Sequence, residues 1–441
     1  MVQPDQRRSG LSGAGRRQVA TAVVLGALLV VLSGFLYLRL TYQQPVAIIL
    51  EMTARIVLDP LLAWNHADDA KQRDQLVATY DVGYKPGKLP AWRASWRLAQ
   101  STGAWVELVS TRGLWNSGSS PPFVYESANA PYLRELARQY DLTSIASLGT
   151  VTEYESMLRV GAWAGTRWDH GTDPLVGSRF ACDPVGLIRA GEAGEKYWCE
   201  IASRVMVNVA TAIGWPARVV TGSRDGYTWE HAVAELWSND FQKWFVMDTD
   251  FNVVYESGGV PLSAFELAHD GPHLRDSGKL VTRRFAPAKP SLPLIDVIPF
   301  YRWVHIDMRN DWCTRPLRPG SPAGGDLATW WTARDDLGPV LTAKVRVDDP
   351  NRFNWPVNVV SIYLISARRL GSRSVELSLG LRAYSPAFAE FELSMDGGPW
   401  ATARPQLSIE ATPGRHVIKA RVRTRAGSVG PVAEAIFDVA T

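Results

Sequence analysis

Three residues have the types and the chain order of a nucleophile, a base and a group that orients the base: Cys199, His231 and Asp248. Cys199 opens the stretch CEIASRVMVNVATAIGWPARVVTG, in which Ile201, Val205, Val209 and Ala212/Ile213 recur about once per helical turn. Gly214 suits the left-handed residue that ends a helix and Pro216 prevents continuation, so the spacing predicts a helix from the cysteine onward and a strand over 217–221. A thiol at a helix N-terminus meets unpaired backbone N–H groups and the positive end of the helix dipole, both of which favour a thiolate. Using that thiolate as a nucleophile further requires a base within hydrogen-bond reach and a third group that fixes the base.

The stretch from His231 supplies both. HAVAELW and WFVMD alternate with a period of two and flank SNDF, which carries the turn residues Asn239 and Asp240. A two-residue Asn239–Asp240 turn sets Ser238 opposite Phe241 and His231 directly opposite Asp248, with Cβ atoms about 4.5–5.5 Å apart on one face. Asp248 then fixes the tautomer of the imidazole and stabilises its cation. The plain structural alternative is a histidine that starts a strand and an aspartate that ends one.

The cysteine at the head of a helix, the exit GWPARVVTG, the strand HAVAE and the strand WFVMDTD, taken in that order, resemble the transglutaminase-like superfamily. The preceding run, YLRELARQYDL through VGAWAGTRWDHGTDP, is similar to the lead-in helices of bacterial members, and the resemblance spans roughly 131–255. It implies an α+β, papain-like core over 131–285, with Cys199 as nucleophile, His231 as general base and then acid, and Asp248 as orienter. The implied chemistry is acyl transfer on an amide bond, completed by water in a peptidase or amidase and by an amine in a transamidase. Two positions depart from the pattern: Tyr197-Trp198 precede the cysteine where a small residue is usual, and Val233 follows "HA" where an aromatic is common. The backbone N–H of Cys199 is the expected oxyanion donor, with Trp198 and Tyr227 as candidates for a second. Glu230 and Glu235 are expected at the surface or in support of the site. No cofactor and no metal is implied, because there is no EF-hand-type loop and His170, His269 and His273 have no Cys or His at ligand spacing.

Around this segment the 441 residues leave room for two or three domains. Lys and Arg number 47 against 44 Asp and Glu, too even a balance to point to a nucleic-acid partner. Val19 to Leu38 carries no charge and is long enough to cross a hydrocarbon layer of about 30 Å. With Arg7, Arg8, Arg16 and Arg17 before it, the expectation is a cytoplasmic tail over 1–18, a transmembrane anchor over 19–40, and the bulk of the chain in the periplasm or outside the cell. Val46 to Trp64 is interrupted by Glu51, Arg55 and Asp59 and reads as amphipathic, opening a partly β-rich lead-in over 41–130. A linker and β-rich segment is expected over 286–370. Alternation at Val375, Leu377, Leu379 and Leu381, the turn residues DGG and the strand HVIKARVRT argue for an immunoglobulin-like β-sandwich over 371–441.

Of the three cysteines, Cys182 and Cys313 are the candidate disulfide pair, with three free thiols as the equal alternative. Lys419, Arg421, Arg423 and Arg425 fall on one face of a strand, either as a solvated surface or as a basic ribbon for an anionic polymer. That ribbon and the 18 tryptophans support the rival reading, a non-catalytic envelope protein that binds polysaccharide or a partner. The catalytic reading implies a protein, peptide or envelope-polymer substrate. The sequence carries no signal of oligomeric state.

Overall fold

The computed structural model describes residue 33 and residues 74–85, 95–96, 106–113, 123–171, 182–224, 230–315, 327–331, 345–346, 350–370 and 374–440. Apart from Ser33, these belong to one compact unit, Ala67–Arg334 with Ala343–Thr441. The expected cytoplasmic tail, the amphipathic run, Tyr227 and, but for Ser33, the anchor over 19–40 lie outside the described residues. Among the described residues no helix is long and apolar enough to cross a membrane.

The architecture is mixed α/β with mostly antiparallel sheets. Along the chain come β1 (Asp81–Gly83), β2 (Val106–Arg112), α1 (Pro131–Tyr140), α2 (Leu142–Ala146), α3 (Glu153–Gly165), β3 (Asp169–His170), α4 (Pro184–Glu192), β4 (Lys196–Tyr197) and α5 (Cys199–Ile213). There follow β5 (Ala217–Ser223), β6 (His231–Ser238), β7 (Lys243–Met247), β8 (Val253–Ser257), β9 (Val260–Pro261), α6 (Ala264–His269), α7 (Gly271–Asp276), β10 (Val281–Arg284), β11 (Trp303–Asp307), β12 (Leu327–Trp331) and β13 (Val345–Arg346). The last strands are β14 (Val359–Leu370), β15 (Ser374–Tyr384), β16 (Phe388–Met395), β17 (Ala401–Ala403), β18 (Gln406–Ala411), β19 (Gly414–Thr424) and β20 (Ala433–Val439).

The central sheet runs β13-β12-β11-β5-β6-β7. Every residue of β6 is buried, because both of its faces are covered. Ala234 and Leu236 point into a core shared with α1, α3 and α5 through Leu133, Leu136, Val160, Val205 and Val209. Val233 and Trp237 point the other way, into a core with Trp244, Phe300, Phe353 and Trp355. The helices start and stop on local chemistry. Thr152 accepts the N–H of Glu155 to cap α3, Ser263 and Glu266 form a reciprocal capping box on α6, and Gly214 ends α5 at φ 97°. The sheet that carries His231 continues past residue 285, since β11 pairs with β5.

Two antiparallel sheets share a third core. One is β1-β15-β14 with β18 on β15, and the other is β17-β16-β19-β20-β2. They reach beyond 371–441, starting at Val359 and taking in β1 and β2 from ahead of the helices. Three of the four residues of the basic ribbon, all on β19, have counter-charges beside them. Arg421 and Arg423 both bind Glu392 at 2.6 Å, and Lys419 pairs with Glu434 at 3.4 Å, so neighbouring strands supply the counter-charges that the isolated strand lacked.

Helix α3 lies unusually close to the β7–β8 corner. A Cβ on Gly161 would sit 2.7 Å from Met247 Sδ, and one on Gly165 would sit 2.0 Å from Asn252 Oδ1. Hydrogen at these two positions allows the approach without displacing the Met247 and Asn252 side chains. Gly165→Ala is therefore expected to cost about 1–3 kcal/mol in denaturant unfolding and to displace the turn that holds Asp248, whereas alanine at Gly194, strained by its φ of 107° but with open space around it, destabilises without moving that turn.

Candidate active site

The cysteine is placed by the turn in front of it. β4 pairs in parallel with β3, setting Tyr197 beside His170, and Gly171 N–H donates to Tyr197 O at 3.1 Å. Tyr197 is fully buried against Trp168, and its hydroxyl donates to Leu187 O at 2.5 Å. A large residue is thus accommodated ahead of the cysteine because its ring packs inward against Trp168. Trp198 is the extended residue before α5, and no side chain caps the helix there. The first-turn N–H groups remain available beside Cys199, as anion stabilisation requires.

His231 begins β6, opposite Gly222 of β5. Its Nε2 lies 2.7 Å from Asp248 Oδ2, and the ring is flanked by Phe251 at 5.3 Å and Phe300 at 5.8 Å. Gly222 permits this arrangement, since a Cβ there would lie 2.5 Å from Phe300 O. Asp248 has no exposure to solvent. Its Oδ1 accepts the backbone N–H groups of Asp250 at 3.1 Å and Phe251 at 3.0 Å, and Tyr255 OH donates to Oδ2 at 3.3 Å. The turn that makes these bonds is closed by reciprocal backbone bonds of 3.0 Å between Asp248 and Val253, with Asn252 at φ 57°. Thr249 Oγ1 donates to Ala202 O at 3.2 Å, tying the same turn to the cysteine helix.

The hairpin register differs from the expected one. Ser238 faces Lys243, not Phe241, and the loop 239–242 closes with Gln242 at φ 56°. The cause is tertiary: Glu153 at the start of α3 accepts both Asn239 N at 2.6 Å and Asn239 Nδ2 at 2.8 Å, which takes Asn239 out of a tight turn. Burial raises the Glu153 carboxyl to about 7, against those hydrogen bonds from Asn239. Because the register moves by two, each side chain keeps its face, and His231 still shares a face with Asp248.

Burial alone would lower the His231 imidazole. The Asp248 carboxylate, by charge and hydrogen bond, and then Cys199, by hydrogen bond and charge, outweigh burial and hold His231 well above its ordinary value. The structure thus brings Cys199, His231 and Asp248 into one chain of contacts.

A fourth group was not anticipated. Asp250 is buried, and its carboxylate oxygen, the Cys199 sulfur and a His231 ring nitrogen all lie within 4.8 Å of one another. His170 Nδ1 sits 3.0 Å from both Asp250 oxygens, and this hydrogen bond raises the His170 imidazole against the effect of partial burial. Lys289, pushed down to about 8 by burial with Asp250, Asp169 and Asp248 acting against that, donates to Trp168 O at 2.9 Å. Asp250 stands two residues past Asp248, in the turn beyond β7, where strand alternation no longer tells which way a side chain points. His170 was not legible either, since WDHGTD reads as a loop and the partner is 80 positions away.

The remaining expectations each settle on one of their alternatives. Glu235 is not at the surface: it is fully buried and bonds Arg218 Nε at 2.7 Å, with Arg218 held between Trp244 and Trp355. Glu230 accepts Arg224 N at 2.8 Å at the exposed edge. Cys182 and Cys313 are free thiols; burial, and then hydrogen bonding and charge from Cys182, push the Cys313 thiol up. The chain matches no family model, and a search of curated proteins finds no significant match.

The raised His231 gives a signed pH dependence. Stability from the His231–Asp248 pair is fully present below the unfolded value near 6.5 and is lost as pH rises through the higher folded value. Asp248→Asn is expected to destabilise by about 3 kcal/mol at pH 6 and by progressively less as pH rises, measured by denaturant unfolding of both proteins across that range. A pH-independent difference would show that the pair is not ionic.

Proposed function

We propose that the protein is a transglutaminase-like cysteine enzyme that transfers acyl groups from an amide bond of a protein, peptide or envelope polymer. In this reading the core is papain-like, the terminal β-sandwich is immunoglobulin-like, and residues 19–40 anchor the chain with its bulk outside the cytoplasm. The observation that carries the reading is the contact chain from Cys199 at an uncapped helix N-terminus, through His231, to a buried Asp248 2.7 Å beyond it.

The chemistry follows from that order. The Cys199 thiolate attacks the amide carbon while the backbone N–H of Cys199 stabilises the oxyanion, an interaction typically worth about 10²–10³ in rate. His231 passes its proton to the departing nitrogen, the C–N bond breaks, and a thioester remains. Water or an amine, deprotonated by His231, then releases the acyl group and regenerates the thiolate. Asp248 keeps the ring in place and stabilises its cation throughout. Three of the four residues of the basic ribbon that favoured a polymer-binding protein, Lys419, Arg421 and Arg423, are paired with Glu434 or Glu392, which weighs against that alternative.

The test uses the full-length protein and three readouts. Iodoacetamide labelling followed by mass spectrometry is expected to modify Cys199 at neutral pH, and His231→Ala to slow that modification about tenfold or more. With a glutamine-containing casein and a fluorescent amine, ammonia release alone marks hydrolysis and amine incorporation marks transamidation. Both are expected to vanish in Cys199→Ala and to fall about 10²–10⁴-fold in Asp248→Asn. Labelling of Cys199 that is indifferent to His231, with no turnover of any amide, sinks the reading.

A further inference from the structure

The acyl-transfer reading uses Cys199 and His231 but gives Asp250 no task. A buried carboxylate beside a nucleophilic sulfur opposes the negative charge that the sulfur must carry, so its position calls for a physical reason. The three atoms concerned, a thiol sulfur, an imidazole nitrogen and a carboxylate oxygen, are the donor types that bind Zn²⁺. They already lie within 4.8 Å of one another. Donors around a tetrahedral zinc, with bonds of about 2.0–2.3 Å, stand roughly 3.3–3.8 Å apart, so small side-chain movements complete the geometry.

The surroundings match as well. A zinc-bound histidine generally donates its second ring nitrogen to a carboxylate, and His231 Nε2 is already engaged by Asp248 at 2.7 Å. A ligating carboxylate is generally oriented by a hydrogen bond, and His170 Nδ1 reaches both oxygens of Asp250 at 3.0 Å. Asp250 is buried beside the sulfur, and Asp248, buried on the other nitrogen of the His231 ring, backs the imidazole, so one carboxylate stands among the donors and one behind them. The nearby Lys289 ammonium is committed to the Trp168 carbonyl.

We propose that Cys199, His231 and Asp250 form a Zn²⁺ site. The metal takes the sulfur, the ring nitrogen not engaged by Asp248 and one Asp250 oxygen, and leaves its fourth position to water. Binding displaces the one proton that the Cys199–His231 pair holds between them. With its sulfur on the metal, Cys199 cannot attack a carbonyl, so Zn²⁺ holds the site off until it is withdrawn. That last consequence rests on the acyl-transfer reading, whereas the metal site does not.

The experiment titrates the reduced full-length protein with Co²⁺ as the spectroscopic probe and then with Zn²⁺. One Co²⁺ per chain is expected, with a thiolate-to-cobalt charge-transfer band and the intense visible bands of four-coordinate cobalt, all displaced by one equivalent of Zn²⁺. Cys199→Ser loses the charge-transfer band, and Asp250→Asn and His170→Ala each weaken binding about 10–100-fold. In the wild-type protein, which needs no variant to fold, Zn²⁺ shields Cys199 but not Cys182 from iodoacetamide. The proposal is overturned by absence of the band, by a band that survives Cys199→Ser, by wild-type affinity in Asp250→Asn with native circular dichroism, or by Cys199 remaining open to alkylation at saturating Zn²⁺. Since the readout is metal absorption and not turnover, a cobalt band without amide chemistry removes only the enzymatic reading, and turnover without the band removes only this one.

Discussion

A carboxylate removed from water keeps its place only when a counter-charge and hydrogen bonds replace the lost solvent, and Asp248 meets that demand through four donors. Two are backbone N–H groups of its own turn, one is Tyr255 OH and one is His231 Nε2. Between them the donors fix the turn, the next strand and the sheet. The N–H groups dictate the Asp248–Val253 turn, Tyr255 engages the next strand, and the imidazole connects to the sheet. Thr249 adds the cysteine helix through Ala202. The sulfur, the ring and the carboxylate are aligned because the turn between two strands is built around the last of them.

A second buried pair locks the sheet that carries the histidine. Arg218 and Glu235 face each other across β5 and β6, both without exposure. Arg218 also donates to Phe353 O at 2.7 Å and lies between two tryptophan faces, while Glu235 accepts Ala264 N at 2.6 Å. A slip of either strand would leave a charge alone in the core at a cost of about 3–5 kcal/mol, so the pair specifies the alignment on which His231 depends.

The parts of this arrangement that are local in the chain were legible before any coordinates. The helix from Cys199 to Ile213 with Gly214 at its end, the strand from His231 and the alternation in Ser374–Tyr384 follow from periodicity and cap chemistry. The parts decided by distant partners were not. Asn239 reads as a turn former until Glu153, 86 positions earlier, claims both of its donors. Arg421 and Arg423 read as a cationic face until Glu392 is found on the neighbouring strand. Glu235 reads equally as a surface acid or as support for the site until Arg218 is found across from it, and the His170–Asp250 contact has no local signature at all. The face shared by His231 and Asp248 was read correctly although the register was not, because a shift of two residues leaves the pleat unchanged.

The two sheets around the third core draw strands from both sides of the helical region, with Asp81–Gly83 on Ser374–Tyr384 and Val106–Arg112 on Ala433–Val439. During synthesis the early strands must therefore wait, unpaired, while some three hundred residues emerge from the ribosome. The helical core can begin to pack in that interval, but the sheets cannot close. The helical region is a loop tied off by strands on either side of it, and any excision of the last strands would untie Asp81–Gly83 and Val106–Arg112 as well.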